Sequence, residues 1–580
     1  CDIREIQMLR PRDIEKIEYH DAPSGKYAKD KLVVNFITKQ YRYGGYVQAD
    51  GLQTIGYDHG DYNVATNYVK GNNSYTVFAG ANYSHVDGTE TWNNENYQFP
   101  QSLFDRESYS KNSYQNHQEY MQFRYQNQKG KRYWVGKFTL VNLSTPRNAS
   151  SGFARESTET DIFSNIRKKS LSPKIDLNAN LPLSKNQTLT LGVHGKYSAN
   201  SYHRLYQEQP FETMTDEDEK ALSFQLSAIY NYFSQKHSLS VELFHYHDVW
   251  NADYSGNCEL WQHLWKGESL AFFSYNFQAS RRLSLKTRIG LDWLQYHLHG
   301  DNSFSQLSPR INTNVQYQLN KGMLLWSFNF VNSNHGMDII NRAMIQVNSH
   351  MMEKGMPELK KSHDINTYLY YMGRFNRLSV SAIGQFRYNH HPVTDDYYLD
   401  EANGKIVKTY SNGGNAQYYF AILALQYKLC KFANLSGDIR YSHAEVTTTW
   451  SKHNNNLTGN LGLNMFMGDF ALKPYLHFGK KSLGEAALVI SKTPIDYGMS
   501  CSYSRGNLYV ELQAVSPFKK QEKQYWLDLP IYSYSKSIKN QTASQYASIK
   551  VAYSFDFGRK TQKVEKDVNK NINSSLLRVE

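Results

Sequence analysis

Residues 174–194 read KIDLNANLPLSKNQTLTLGVH, and this stretch decides the fold. Apolar and polar side chains alternate on both sides of a short polar turn at 184–187. The apolar set is Ile175, Leu177, Ala179, Leu181, Leu183, Leu189, Leu191 and Val193. A period of two residues is that of a β-strand with one apolar and one polar face. The stretch therefore predicts a β-hairpin.

The same alternation recurs along the chain, in segments joined by short turns and by long polar stretches in alternation. Clear repeats occupy residues 222–243, 283–293, 311–319 and 547–557. Short turns are predicted near 71–74, 128–131, 184–187, 234–236, 280–282, 320–322, 375–377, 428–433, 467–469 and 505–507. Long polar loops are predicted at 87–117, 144–172, 200–220, 334–363, 391–415 and 518–542.

Short turns at one rim and long loops at the other are typical of bacterial outer-membrane barrels, in which the turns face the periplasm. The predicted turns, with both chain ends on the turn side, correspond to about 22 strands, an even number as such barrels require. In lipid, an unpaired edge strand leaves backbone groups without hydrogen-bond partners, so the sheet has to close. We therefore predict an all-β fold, a closed antiparallel transmembrane β-barrel of about 22 strands over residues 40–558 in the cell outer membrane. A polar periplasmic tail is predicted at 559–580.

Composition excludes several alternatives. The longest uninterrupted apolar run, 418–425, is far shorter than the roughly 18 residues of a membrane-spanning helix. Aromatic residues make up 14% of the chain; Tyr230, Tyr232, Tyr296 and Tyr388 are interpreted as interfacial girdles, with platforms for sugars as the alternative. The net charge is +12, but Lys and Arg never form a dense block, so nucleic acid is not expected as a partner.

The polar face of each strand is predicted to line a wet lumen, where it could contact a plug or a solute. Residues assigned to this lumen face are Asp176, Asn178, Lys286, Arg288, Asp292, Asn312, Asn314 and Gln316. The long loops are predicted to bind ligand at the other rim. A barrel this wide would be an open pore without a plug.

Motifs of enzymes and of metal or cofactor sites are not found. The sequence has no G-x-S-x-G elbow, no H-E-x-x-H and no Gly-rich phosphate loop. Asp216–Glu219 lacks the spacing of a calcium loop and is interpreted as a solvated loop. The pairs His245/His247 and His297/His299 could bind a metal only if their face lines the lumen, and we favour polar rim residues. No enzyme activity, metal or cofactor is therefore predicted.

Three motifs resemble those of the TonB-dependent outer-membrane receptors. Residues 14–27, IEKIEYHDAPSGKY, with 33–39, VVNFITK, are similar to the end of the plug domain in that family. Residues 355–360, GMPELK, resemble the family's G-N-P-x-L-K loop before a late strand. The segment 553–558, YSFDFG, is similar to the last strand of receptor-like barrels. Residues 1–39 are accordingly predicted to be a remnant of the plug's C-terminal strands.

The sequence also departs from the family pattern. Ala22 replaces the Gly before the Pro, Lys29–Lys31 replace a glycine pair, and Lys361 replaces the second Pro of the loop motif. Most of the plug and its TonB-contacting box do not precede these residues. Two interpretations follow: the C-terminal barrel part of a longer receptor, which we favour, or a divergent member that has lost its plug.

The resemblance implies TonB-energised uptake of a large or scarce solute of unknown identity. Implied partners are outer-membrane lipid and lipopolysaccharide, the TonB complex through a plug not present in this chain, and a surface lipoprotein. Two alternatives remain at this point. One is a barrel that serves as a structural or assembly platform for surface proteins, and the other is a soluble all-β glycan-binding protein.

Overall fold

The described residues consist almost entirely of β-strands and include a four-residue helix, α1, at Gln541–Ser544. The computed structural model describes residues 14–20, 33–38, 43–234, 236–301, 303–333, 336–359, 361–484, 487–518, 521–558, 568–572 and 574–579. In chain order the strands are β1 (Ile14–His20), β2 (Val33–Thr38), β3 (Tyr43–Ile55), β4 (Asp58–Lys70), β5 (Asn73–Phe99), β6 (Ser102–Lys129), β7 (Arg132–Arg155), β8 (Glu159–Ser184), β9 (Gln187–Glu208), β10 (Phe211–Phe233), β11 (His237–Gly256), β12 (Leu260–Gln278), β13 (Leu283–Leu298), β14 (Phe304–Leu319), β15 (Gly322–Ser333), β16 (Met344–Gln346), β17 (Met351–Lys354), β18 (Ser362–Phe375), β19 (Leu378–His390), β20 (Thr394–Asp400), β21 (Lys405–Ser411), β22 (Asn415–Lys428), β23 (Ala433–Thr447), β24 (Ser451–Met467), β25 (Phe470–His477), β26 (Lys480–Leu483), β27 (Ile490–Thr493), β28 (Asp496–Arg505), β29 (Leu508–Val515), β30 (Glu522–Asp528), β31 (Tyr532–Lys539) and β32 (Tyr546–Gly558).

Twenty-two of these strands form one closed antiparallel ring, as predicted. The ring runs in chain order from β3 to β15, continues through β18, β19, β22–β25, β28, β29 and β32, and returns to β3. The closing pair runs in register from Gly44 opposite Gly558 to Ile55 opposite Ala547. All ten predicted turns join neighbouring wall strands at one rim, here called the turn rim. Closure leaves no strand edge in the wall, which is the requirement that the bilayer imposes.

The two faces of the wall differ in chemistry. On one face, long apolar side chains stand free, with Leu177 at 50% and Leu291 at 52% of their full exposure. The alternate positions on the same strands carry Asp176 and Asp292. Such an apolar outer band is what lipid requires of a spanning barrel. Among the described residues, no helix is long and apolar enough to cross a membrane.

Three predicted loops are instead continuations of the wall. The loops at 87–117, 144–172 and 200–220 lie in strands β5 to β10, of which β6 alone has 28 residues. Above the apolar band, both faces of these strands carry polar side chains, so no alternation marks them in the sequence. Their backbones nevertheless keep the antiparallel ladder, because unpaired N–H and C=O groups are costly wherever the surface is covered.

Four short strands extend the wall on the side of the ring that adjoins β5. β26 pairs with β27, β27 with β30, and β30 with β31. β31 then pairs with β5 beyond the ends of the short strands β3 and β4. The end of the barrel opposite the turn rim, here called the loop rim, is therefore also enclosed by paired strands.

Two of the predicted long loops fold into a small sheet inside the barrel. The sheet has the order β16-β17-β21-β20 and comes from the segments between β15 and β18 and between β19 and β22. Its Met351 and Ile406 pack in one buried cluster with Tyr97, Ala416 and Val446 of β5, β22 and β23. β22 and β23 are neighbours and β5 lies across the ring from them, so a segment that contacts all three lies in the lumen. We call it the lumen sheet.

The predicted periplasmic placement of the tail requires correction for residues 568–572 and 574–579. These residues lie inside the barrel, where they contact β8 through Lys174, β9 through Tyr202 and β11 through Tyr254. Leu576 and Leu577 are each only 2% exposed. We call residues 568–572 and 574–579 the lumen tail. Its apolar side chains explain the placement, because burying each of them is worth about 1.5–3 kcal/mol relative to leaving it in water.

Strands β1 and β2 form a separate two-stranded antiparallel sheet, with Ile17 opposite Phe36. This pairing gives the segment the secondary structure that the resemblance implied. Its assignment as a plug remnant remains a prediction.

Candidate functional site in the barrel lumen

The eight residues assigned to the lumen face alternate along their strands with side chains of the other, mostly apolar face. Asp176 contacts His194 at 2.7 Å, and the Arg288 guanidinium lies 2.6 Å from a carboxylate oxygen of Glu242. Asn312 contacts Asn329 and also accepts a hydrogen bond of 2.8 Å from Asn314. Opposite neighbours on adjacent strands are Gly192 for Asn178, Asn314 for Lys286 and Ser284 for Gln316. Their roles toward a plug or a solute remain predictions.

Asp292 holds the segment that leads from the lumen sheet back to the wall. Its carboxylate lies 2.9 Å from the Lys361 ammonium, and both side chains are fully buried. Arg310 also donates to this carboxylate, at 2.8 Å from Nε. Lys361 is the residue that replaces the second Pro of the family loop motif. This departure from the family pattern therefore supplies one partner of a buried ion pair.

A second ionic cluster fixes the tip of the lumen sheet at the loop rim. The Arg106 guanidinium lies 2.7 Å from Glu95 and 2.9 Å from Glu208. The Ser349 hydroxyl donates to Glu208 at 3.3 Å, and His350 lies 2.8 Å from Glu156. Charged side chains are rarely buried without partners, and here the cluster is saturated with opposite charges. Its arrangement ties residues 349 and 350 to the wall.

Residues 355–359 of the GMPELK motif lie in the lumen shortly before β18. The Tyr296 hydroxyl donates to the carbonyl oxygens of Pro357 and Leu359, at 3.3 and 2.9 Å. Tyr296 is buried and does not belong to an outer aromatic girdle, so that part of the sequence interpretation was wrong. Tyr230 does lie on the outer face, opposite the exposed Val241.

The lumen tail is held through its main chain. Lys174 donates to the carbonyl oxygens of residues 569 and 571, each at 2.7 Å. The Tyr202 hydroxyl donates to the carbonyl oxygen of residue 579 at 2.7 Å. Glu219 accepts from the N–H of Ser575 at 2.6 Å. All of these wall side chains are buried, so the contacts are made away from water.

Asn341 and Tyr254 complete these main-chain contacts from the other side of the tail. Asn341 donates to the carbonyl oxygen of Ser575 at 2.9 Å and to the Tyr254 hydroxyl at 2.7 Å. The N–H of Leu577 donates to the same Tyr254 oxygen at 3.1 Å. Asn341 precedes the lumen sheet, so this sheet and the wall hold the tail between them.

Apolar side chains of the tail fill a pocket between wall and lumen sheet. Leu576, Leu577 and Val579 are buried together with Ile166, Tyr202, Ala252, Tyr254, Ala343 and Ile345. Lower in the barrel, Val568 and Ile572 pack against Phe78, Tyr120 and Val141. The tail therefore follows the inner wall from the level of Lys174 to the underside of the lumen sheet.

Glu217 is a buried carboxyl group beside this pocket, above the apolar band. It is 1% exposed, and neither of its oxygens has a hydrogen-bond partner among the described residues. The pKa of Glu217 is raised to about 9, and burial is the largest cause. The charges of Arg578 and Lys168 lower this pKa, and the charge of Glu219 raises it. Asp216–Glu219 belong to β10, so their interpretation as a solvated loop was wrong.

The opposite half of the lumen is open. A cavity of about 630 Å³ lies against strands β18 to β29, on the side of the ring away from the tail. Polar residues that line it include Gln426, Asp438, Asn460, Lys473, His477 and Gln513. A cavity with polar lining residues thus remains beside the filled half.

The paired histidines lie on the outer face. His245 and His247 are opposite the exposed Leu226 and Phe224, and the His247 ring stacks on Phe224 at 5.1 Å. His299 contacts the exposed Trp261 at 5.4 Å. In the described part of the chain, no group of three or more His, Cys, Asp or Glu side chains is arranged to hold a metal ion. A lumenal metal role for these pairs is thereby overturned.

Sequence reasoning missed the residues that grip the tail. Tyr202, Glu219 and Tyr254 belong to strand extensions without alternation, and Asn341 belongs to a loop. One signal was present, since Leu576, Leu577 and Val579 interrupt an otherwise polar terminal stretch. Three apolar residues within four positions favour burial over solvation.

A closed ring of 22 strands with an apolar exterior, a polar interior and chain segments folded into the lumen defines a large transmembrane β-barrel of the outer-membrane type. Solved structures share this fold. The copper transporter OprC matches with a TM-score of 0.61 and 10% sequence identity, over 91% of this chain and 83% of that one. The FrpB iron transporter from Neisseria meningitidis matches with a TM-score of 0.57 and 8% identity, over 94% and 88% of the two chains.

The siderophore receptor PiuA from Acinetobacter baumannii matches with a TM-score of 0.57 and 10% identity, over 90% of this chain and 83% of that one. No family model matches the sequence, and no curated protein matches it significantly. At such identities the comparisons establish the fold alone. The resemblance to TonB-dependent receptors is confirmed at that level.

Proposed function

We propose that this chain is the barrel of an outer-membrane receptor that takes up a large or scarce solute with energy from the TonB complex. The observation that carries the proposal is a ring too wide to be filled by its own wall side chains, whose lumen is filled on one side by loops and tail. Such filling suits a receptor, which has to limit leakage until its solute is bound. The named structures with this fold are transporters and a receptor.

Energy coupling requires a plug that the TonB complex can pull. The pair β1 and β2 resembles the end of such a plug, and the rest would lie upstream of Cys1. Outer-membrane lipid and lipopolysaccharide would contact the apolar band, and a surface lipoprotein would meet the loop rim. The solute would cross beside the lumen wall, where the open cavity lies.

Depletion of solutes from the growth medium tests this proposal. The strain that lacks this gene and a strain that lacks TonB are grown beside the parent, and the spent media are compared by mass spectrometry. We expect at least one solute to be removed by the parent and left by both mutants. If no solute shows this pattern, the uptake proposal is wrong.

The platform alternative predicts a different result in the same strains. Loss of the gene would remove other proteins from the cell surface, detected by protease shaving and mass spectrometry, and would leave solute depletion unchanged. A soluble glycan-binding protein is disfavoured by the exposed apolar band, which includes Leu177 and Leu291.

A further inference from the structure

The lumen tail is bound in the way that proteins bind extended peptides. Its described residues have no helix or strand, and side chains of the surrounding residues make hydrogen bonds to main-chain groups of residues 569, 571, 575, 577 and 579. Main-chain recognition supplies affinity without depending on the sequence of the bound segment, while pockets for side chains supply selectivity.

The groove also has a side-chain preference that its lining explains. Leu576, Leu577 and Val579 occupy one apolar pocket. The Arg578 guanidinium lies 5.8 Å from the centre of the Tyr202 ring and interacts electrostatically with the buried Glu217. The face of the Tyr202 ring favours a basic side chain as ligand. The lining therefore suits apolar residues next to a basic one.

We propose that the lumen wall between β8 and β11, with Asn341, is a binding groove for extended peptides, and that the lumen tail is its intramolecular ligand. A peptide with adjacent apolar and basic side chains displaces the tail and takes over its main-chain contacts. That such a peptide is the solute taken up rests on the proposed function; the binding itself does not.

Attachment to the chain sets how strongly the tail competes. A tethered ligand has an effective concentration on the order of millimolar, so a free peptide of the same sequence gains access only at comparable concentration. Weakening the tail should therefore make the groove accessible to peptide added from outside. This difference between intact and weakened tails is what the experiment measures.

The test uses the full chain in detergent and a fluorescein-labelled peptide VNKNINSSLLRVE, which is residues 568–580. Binding is followed by fluorescence anisotropy for the wild-type chain and for the double variant Leu576→Asp/Leu577→Asp, whose tail cannot fill the apolar pocket. We expect saturable binding to the double variant and at least about tenfold weaker binding to the wild type. A scrambled peptide is expected to bind the double variant more weakly, because its side chains do not match the apolar pocket.

Wall variants in the same Leu576→Asp/Leu577→Asp background establish where the peptide binds. Tyr202→Phe together with Tyr254→Phe removes two hydroxyl groups from the groove and is expected to weaken binding about tenfold. Tyr475→Phe, in the open cavity on the other side of the ring, is the matched control and is expected to have no effect. Each variant is checked by gel electrophoresis: a protein that retains a closed barrel migrates slowly only after it has been boiled.

Two results would overturn the proposal. One is equal binding of the peptide and its scrambled version to the double variant. The other is peptide binding that Tyr475→Phe weakens as much as the Tyr202→Phe/Tyr254→Phe pair does. Hydrogen exchange of residues 574–579 in the wild-type chain gives a second readout, because excess peptide should increase it. Since binding is measured in detergent without any transport, its failure is distinguishable from failure of the uptake proposal.

Discussion

The hydroxyl of Tyr202 donates a hydrogen bond of 2.7 Å to the carbonyl oxygen of Val579, although 377 residues separate the two along the chain. This bond joins the wall to the lumen tail, and both residues are buried in the same apolar cluster. The lumen on this side is thus occupied by the chain's own terminal segment. The contribution of the lumen tail to filling the barrel can be tested by measurements of conductance, stability and hydrogen exchange.

Displacing the lumen tail should open the pore further. We expect Leu576→Asp/Leu577→Asp to increase single-channel conductance in planar lipid bilayers, because two charges cannot remain in an apolar pocket without a large energetic cost. Leu576→Met/Leu577→Met preserves apolar volume and is the control, with conductance like that of the wild type. Equal conductance of all three proteins would contradict an occluding role for the tail.

Removing the carboxylate of Asp292 should destabilise the barrel. In Asp292→Ala, Lys361 and Arg310 lose their shared partner while Lys361 stays fully buried, so we expect a loss of about 3–5 kcal/mol. The measurement is the temperature at which gel migration changes from the compact to the unfolded form. Adding Lys361→Met should recover part of the loss.

Asp176→Ala is the matched control for Asp292, because its pair with His194 is partly exposed. We expect a change of at most about 1 kcal/mol for this variant. If both aspartate variants melt at the same temperature, the buried ion pair does not have the importance assigned to it.

Arg106 should hold the tip of the lumen sheet. In Arg106→Gln the carboxylates of Glu95 and Glu208 remain buried without their cation, and we expect faster hydrogen exchange at residues 348–353. Arg155→Gln, which removes an exposed arginine that pairs with Glu159, should leave this exchange unchanged. Unchanged exchange in Arg106→Gln would show that the sheet is held by its apolar cluster alone.

Tail binding should weaken as the pH rises. The pKa of Glu217 is raised by burial to about 9 from 4.5, so the group stays protonated in the folded protein while its exposed counterpart ionises. Stability linked to this group is complete below about pH 4.5 and is lost as the pH rises through about 9. We therefore expect protection factors of residues 574–579 to fall between pH 6 and pH 9.5.

Glu217→Gln tests the assignment of this pH dependence. The amide cannot ionise, so its protection factors should not vary with pH after correction for the intrinsic exchange rate. The neighbouring charges Arg578, Glu219 and Lys168 remain in this variant. If the protection factors of Glu217→Gln fall by the same amount, the pH dependence belongs to one of these neighbouring charges.

Leu177 and Asn178 are adjacent on β8 and should differ in how well they tolerate substitution by arginine. Leu177→Arg places a charge in the outer apolar band and is expected to cost about 2–4 kcal/mol. Asn178→Arg places it on the polar face and should be tolerated. The fraction of heat-modifiable protein in the membrane measures both, and equal fractions would contradict the orientation of the wall.

The alternation of residues 174–194, repeated from strand to strand, was sufficient to predict the ring, the ten turns and the closure of β32 on β3. These features follow from the chain itself because lipid on one side and a wet lumen on the other impose opposite chemistry on successive side chains. The extensions of β5 to β10 could not be predicted in this way, since both of their faces are polar. Only the ladder of the neighbouring strands keeps them extended.

The interior of the barrel was decided by tertiary structure. Lys174, Tyr202 and Glu219 have no distinguishing pattern in the sequence, and they act together only because the ring brings β8, β9 and β10 side by side. The lumen tail lies against them because a wide barrel leaves room for a segment whose apolar side chains are better buried than exposed to water. Such a long-range contact depends on volume and shape, which emerge only after the sheet has closed.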